Sequence, residues 1–221
     1  MADRIYFDIE TIPDQTPGAV DEFAKTLEPP ANYKKEETIA KWREENAEKA
    51  WRKTSLDGAF GEICCIGMAA DDSEPISILS TAVTGERGLL SETFKILDEL
   101  VGKSDFCFDC QWIGFDVHRF DLSFIWKRCI IRGLKPPSWF PRQYSDKVYD
   151  AHKEWCGRFG HDKISLDSLC RALKIKTPKG DIDGSKVWDY WKEGKHEEVA
   201  EYCRRDVEAV RQIYKRMNFI V

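Results

Sequence analysis

This sequence predicts an α/β domain, and three observations carry the prediction. The segment Arg4 to Glu10 alternates, with Ile5, Phe7 and Ile9 on one face and Arg4, Tyr6, Asp8 and Glu10 on the other. That period of two is a strand's. Apolar runs suited to strands then alternate with segments of helical period. The chain closes on EEVAEYCRRDVEAVRQIYKRM, where Val199, Tyr202, Cys203, Val207, Val210 and Tyr214 mark one side of a long helix.

The elements follow in order. Thr11-Ile12-Pro13-Asp14 stops the first strand. Residues 14–33 read as an irregular, proline-bearing loop. Residues 34–54, rich in Lys, Glu, Ala, Trp and Arg, read as a charged helix. Together these form a helical insertion at about 14–55, with either a solvated face or a flap over a substrate as its role. Strands are expected at about 62–70 and 75–80, a helix at 88–101 and a strand at 105–113. A helix from Phe120 to Arg132 comes next. Pro136, Pro137 and Pro141 then make a rigid loop presenting Trp139 and Phe140. A short strand near 147–151 precedes a helix N-capped by Ser165 and running to 173. Helices near 185–192 and 195–217 complete one domain over 1–221. No repeat, low-complexity tract or glycine-rich phosphate loop is present.

Composition narrows the class. The chain has 221 residues, 42% hydrophobic and 33% charged, which is globular rather than disordered. No apolar run approaches the roughly 18 residues of a membrane span. The start, MADRIYFDIE, lacks the long apolar stretch of a signal peptide, so a cytoplasmic location is expected. The net charge of −5 argues against coating DNA by bulk electrostatics. It leaves room for an acidic pocket that meets phosphate through cations. The eight cysteines read as thiols. Cys107 and Cys110 form a lone CxxC in an expected strand, where residues three apart face opposite ways, so no zinc set is predicted.

Three acidic elements stand out. In Asp8-Ile9-Glu10 a spacing of two on a strand places both carboxylates side by side, an unfavourable pairing without a cation. Phe120-Asp121 sits at a strand-to-helix junction, where the helix dipole favours an anion in any case. Tyr202 and Asp206 are one turn apart on the last helix and project together. At the edge of its apolar side Asp206 is partly buried, which requires a partner.

YFDIET, then G-x-x-x-x-x-FD, then YCRRD, in that order, resemble the DEDDy 3′–5′ exonucleases. The likeness is greatest to the proofreading domain of family-B DNA polymerases and its stand-alone relatives. GDIDGSKVW before the last helix fits the stand-alone group too. The resemblance implies an RNase H-like fold, with a mixed five- to six-stranded sheet flanked by helices. It also implies a catalytic set of Asp8, Glu10, Asp121, Tyr202 and Asp206. The four carboxylates would hold two Mg²⁺ or Mn²⁺ ions, since oxygen donors suit hard cations. Asp8 would bridge both ions, Glu10 and Asp206 would hold the one beside the attacking water, and Asp121 the other. Tyr202 would orient that water. Position 201 is Glu rather than the His of the sister class, which places this chain with the tyrosine type.

One departure matters. The family usually has Asn five residues before the second-motif Asp, and here that residue is Asp116. Asn donates a hydrogen bond to a phosphate or sugar; ionised Asp cannot. Phe115, Asp116, His118 and Phe120 are the expected substrate contacts, with His118 facing solvent or phosphate. Phe115, Trp139 and Phe140 are candidate stacking platforms, Trp139 and Phe140 equally candidates for loop packing. Lys174, Lys176 and Lys179 are candidate phosphate contacts or plain surface charge. The expected partner is a single-stranded nucleic-acid 3′ end, DNA before RNA, with a separate polymerase or repair partner. A weakened nucleic-acid-binding module is the alternative that Asp116 motivates.

Overall fold

A computed structural model describes residues 2–101, 110–142, 144–157 and 163–220. The strands are β1 (Arg4–Ile12), β2 (Glu62–Ala70), β3 (Ile76–Leu79), β4 (Gln111–Gly114) and β5 (Val148–Asp150). The helices are α1 (Ala19–Thr26), α2 (Glu36–Arg52), α3 (Gly85–Val101), α4 (Asp121–Ile131), α5 (Ala151–Cys156), α6 (Leu166–Leu173), α7 (Val187–Lys192) and α8 (His196–Met217). Single 3₁₀ turns follow α2 and precede α7.

The five strands form one mixed sheet in the order β3-β2-β1-β4-β5. β3, β2 and β1 are antiparallel neighbours; β1, β4 and β5 run parallel. A sheet with parallel strands is stable when both faces are covered, and this one is. Ile5, Phe7 and Ile9 of β1 pack with Leu89, Leu90 and Phe94 of α3 and Leu122 and Ile125 of α4. On the other face Tyr6 packs with Val207, Val210 and Tyr214 of α8. The alternation in β1 thus separates two buried layers. Its polar face is not an exposed edge: Glu10 is buried.

Gly67 shows how α8 comes so close. It lies opposite Asp8 in the β1–β2 pairing. A Cβ there would sit 2.8 Å from Cys203 Sγ and 3.0 Å from Val207 Cγ2. Any side chain would push α8 off the strand pair, so the missing one sets how near Asp206 comes to Asp8.

One sequence expectation changes. Residues 14–33 are not wholly irregular, because Ala19–Thr26 is helical. Of the two readings of Trp139 and Phe140, platform or loop packing, packing is the one observed. Phe140 is buried, and Trp139 stacks on Trp112 at 6.0 Å and 8° while its indole N–H donates to Asp98 (3.0 Å). The 105–113 strand is described only from Gln111, and Cys107 lies outside the described residues. The described cysteines are all free thiols, as expected. No described helix is long and apolar enough to cross a membrane.

Candidate active site

The acidic centre forms where three sheet features meet. First, the β1–β2 register shifts between Glu10 and Thr11, where Glu10 faces Cys65 and Thr11 faces Ile63. This bulge leaves Cys64 unpaired between them, and bulges commonly re-aim side chains beside active sites. Cys64 and Cys65 both join the cluster under α7 and α8. Second, β4 ends at Gly114, and its pairing with β1 stops at Tyr6. The N–H of Ile9 then donates to Asp121 Oδ1 (3.1 Å), the first residue of α4. Third, α8 brings Tyr202, Cys203 and Asp206 onto the same face of β1, and Cys203 Sγ–H reaches Asp8 O (3.6 Å) and Asp8 Oδ2 (3.8 Å).

The four sequence-selected carboxylates converge. Burial, then the charges of Asp206 and Asp121, push Asp8 well above the usual carboxylate range. Burial, then Asp8 and Asp206, do the same to Glu10. Burial raises Asp121 to about 7 against the hydrogen bonds from its own amide and that of Ile9. Burial raises Asp206 to about 7, while a hydrogen bond from Tyr202 and the charges of Arg205 and Lys179 pull the other way. Tyr202 is buried, and burial and the surrounding acids hold its phenol protonated far above its ordinary range. It is therefore a hydrogen-bond donor here and not a base.

The donor set suits a hard cation. Ligand atoms of Asp8, Glu10 and Cys203 lie within 4.8 Å of one another. Burial and a hydrogen bond to Cys65 push the Cys203 thiol well above its usual range. Asp206 Oδ1 is buried with no hydrogen-bond partner among the described residues. No described Lys or Arg forms an ion pair with Asp8, Glu10, Asp121 or Asp206. Buried carboxylates without an ion-pair partner take up either a proton or a cation, and their raised values show how far the free site favours the proton.

The turn leading into α4 holds the remaining predicted residues. Asp116 takes a left-handed conformation, with φ 57°, which Asp and Asn tolerate better than most residues. Its carboxylate faces Arg119 Nε at 3.8 Å and His152 Nδ1 at 4.0 Å, and burial raises it. Phe115 packs edge-on to His152 (5.3 Å, 77°) and Phe120 lies against Phe124 (5.5 Å). His118 is buried and stacks on Tyr144 (5.8 Å, 22°). It does not face solvent as expected.

Asp150 is the residue the sequence reading missed. Its carboxylate accepts from Asp116 N (3.0 Å) and His118 N (3.1 Å), and it also caps α5 through His152 N (3.1 Å) and Lys153 N (3.2 Å). One buried side chain thereby fixes the whole turn before Asp121. An acid between a short strand and Ala-His-Lys-Glu is an N-cap signal, visible in principle once the helix after it is recognised.

Residues 58–221 match a family described as a predicted 3′–5′ exonuclease related to the exonuclease domain of PolB. The chain belongs to this family. The match begins after Asp8, Glu10 and the α1–α2 segment, so the first two acids stand on the geometry above. The fold is similar to the family B DNA polymerase of the hyperthermophilic archaeon Pyrobaculum calidifontis, with a TM-score of 0.60 at 12% identity. That likeness covers 98% of this chain but only 24% of the polymerase. No curated protein matches the chain.

Proposed function

We propose that this exonuclease domain hydrolyses single-stranded DNA from its 3′ end and releases nucleoside monophosphates. Two divalent cations would be held by Asp8, Glu10, Asp121 and Asp206. The observation that carries the reading is the meeting of four carboxylates from β1, α4 and α8 with no ion-paired Lys or Arg among the described residues; the charges of Arg205 and Lys179 reach Asp206 without pairing with it. When bound, the cations would neutralise the scissile phosphate and lower the pKa of the attacking water.

The chain's own groups supply placement. Asp8 and Glu10, side by side on β1, fix two carboxylates on rigid strand backbone. The Ile9 amide holds Asp121 in one orientation. Tyr202 keeps its proton and donates to Asp206 in the free site; with substrate in place it would turn that donor toward the water. The water adds to phosphorus, the bond to the 3′ oxygen of the preceding nucleotide breaks, and that oxygen leaves carrying a proton. DNA is favoured over RNA by the relationship to a DNA polymerase domain.

The test is hydrolysis of 5′-labelled single-stranded DNA and RNA with Mg²⁺ or Mn²⁺. Wild type is expected to give a ladder of shortened DNA, and Asp8→Ala, Glu10→Ala protein none. A faster ladder on RNA would replace the DNA reading. Binding without any ladder would favour the weakened module that the anion of Asp116 motivates.

A further inference from the structure

Cations along the last helix divide into paired and unpaired ones. On α8 Arg204 pairs with Glu197 (2.6 Å) and Glu201 (2.9 Å), Arg211 with Glu208, and Lys215 with Asp72. Two arginines of the same helix, Arg205 and Arg216, form no ion pair among the described residues, and neither do Lys174 and Lys176. All four line one cleft of about 390 Å³ between α8 and the segment after α6. The cleft has a single carboxylate, Glu208, and its oxygens already accept from Arg211 and Gln212.

The geometry ties this cleft to the acidic centre. Arg205, Ala209, Gln212 and Arg216 line it, at spacings that share one helix stripe. The stripe begins beside Asp206, whose carboxylate feels the charges of Arg205 and Lys179. Arg205 Nε is buried without a partner, and its Nη1 lies 3.1 Å from where a Cβ of Gly180 would stand. From Arg205 to Arg216 the helix rises about 16 Å, more than a mononucleotide can span between two phosphate contacts.

We propose that this cleft holds the phosphate backbone of the single strand upstream of the scissile bond. Arg205 would stand at the inner end and Lys174, Lys176 and Arg216 at the outer. The proposal rests on the exonuclease reading for its direction, and on charge placement for its existence. It explains how a chain of net charge −5 gains the electrostatic attraction that nucleic-acid binding needs.

The test uses Lys174→Gln, Lys176→Gln, Arg216→Gln protein, which keeps side-chain length and leaves the acidic centre untouched. Binding of a 5′-fluorescein single-stranded oligonucleotide is followed by anisotropy against salt, in the Asp8→Ala, Glu10→Ala background. Loss of three phosphate contacts is expected to lower the slope of log K against log salt by about two. In the otherwise wild-type enzyme, KM for a long oligonucleotide is expected to rise while hydrolysis of a dinucleotide is unchanged. An unaltered slope with unaltered KM overturns the cleft and leaves the exonuclease standing. If the parent binds but cleaves nothing, the exonuclease reading falls and the slope alone decides the cleft. If no oligonucleotide binds at any salt, both fall.

Discussion

Two groups of buried acids lie on opposite faces of the same sheet, and their surroundings differ. Glu86 of α3 has no side-chain exposure, yet every part of its charge is answered. It accepts from Ile63 N (2.8 Å), Arg128 Nε and Nη2 (2.8 and 2.7 Å) and Arg132 Nε (2.6 Å), and Arg132 continues to Glu62 (2.7 Å). Across the sheet, Asp8, Glu10 and Asp206 face one another, a neutral thiol and a neutral phenol. The first group brings its counter-charges in the sequence. The second has no ion-paired Lys or Arg among the described residues, and the charges of Arg205 and Lys179 offset Asp206 only in part. A buried carboxylate with its arginine is a structural joint; several carboxylates that share no arginine are a candidate site for positive charge.

The sharpest way to break this contrast is to remove charge from each side in turn. Glu86→Gln leaves buried Arg128 with Glu62, at 4.0 Å, as its remaining charge partner, and breaking a buried pair costs about 3–5 kcal/mol. For a chain of this size the melting temperature is expected to fall by roughly 10 °C. Glu86→Met with Arg128→Met is expected to cost far less, because the charge leaves as a pair. The same kind of change across the sheet is expected to have the opposite sign. Asp8→Asn or Asp206→Asn relieves like-charge crowding and is expected to raise the melting temperature of the metal-free protein, while abolishing nuclease activity. Thermal melts in EDTA check both, and a destabilised Asp206→Asn would undo the comparison.

The pH dependence bears on the acidic centre. The acids of the centre are raised in the folded state, Asp121 and Asp206 to about 7. Between the ordinary carboxylate value near 4 and about 7, the folded chain therefore binds more protons than the unfolded one. Stability of the metal-free protein is expected to fall as pH rises through that window. Divalent cations compete with the same protons. The melting shift given by Mn²⁺ is expected to be small at pH 5 and large at pH 8. Equal shifts at both would mean that the ion binds elsewhere.

Much of this was legible before any coordinates. β1 and β2 carry strong periodic or apolar signals, and both were placed within two residues of their bounds. The three acidic motifs needed only strand and helix spacing. What escaped was set by tertiary contact. α1 is short and starts at Gly18 with φ 82°; its Phe23 is held by Phe60 across the chain (5.0 Å). Trp139 reads equally as a platform or as loop packing, because a proline-rich loop says nothing of the Trp112 beneath it. Cys203 looked like an ordinary core residue, and only the approach of α8 over Gly67 reveals it as the thiol beside Asp8.

The smallest expected effect lies at Asp116, where the two kinds of surrounding meet in one residue. Its carboxylate is neither fully answered, since Arg119 and His152 stand 3.8 and 4.0 Å away, nor fully buried. Asp116→Asn keeps the left-handed turn and the amide bond to Asp150, both of which Asn tolerates. It removes one anion near the path of the phosphate and adds a donor. In a largely solvated setting one charge at close range is worth about 1 kcal/mol, or about fivefold in kcat/KM. The gain is expected to shrink as salt is raised, because screening weakens an exposed repulsion and leaves a buried one in place. Steady-state rates at low and high salt decide the matter. An unchanged or lower rate at low salt would mean that Arg119 and His152 already neutralise Asp116, and that it belongs with Glu86 among the answered acids.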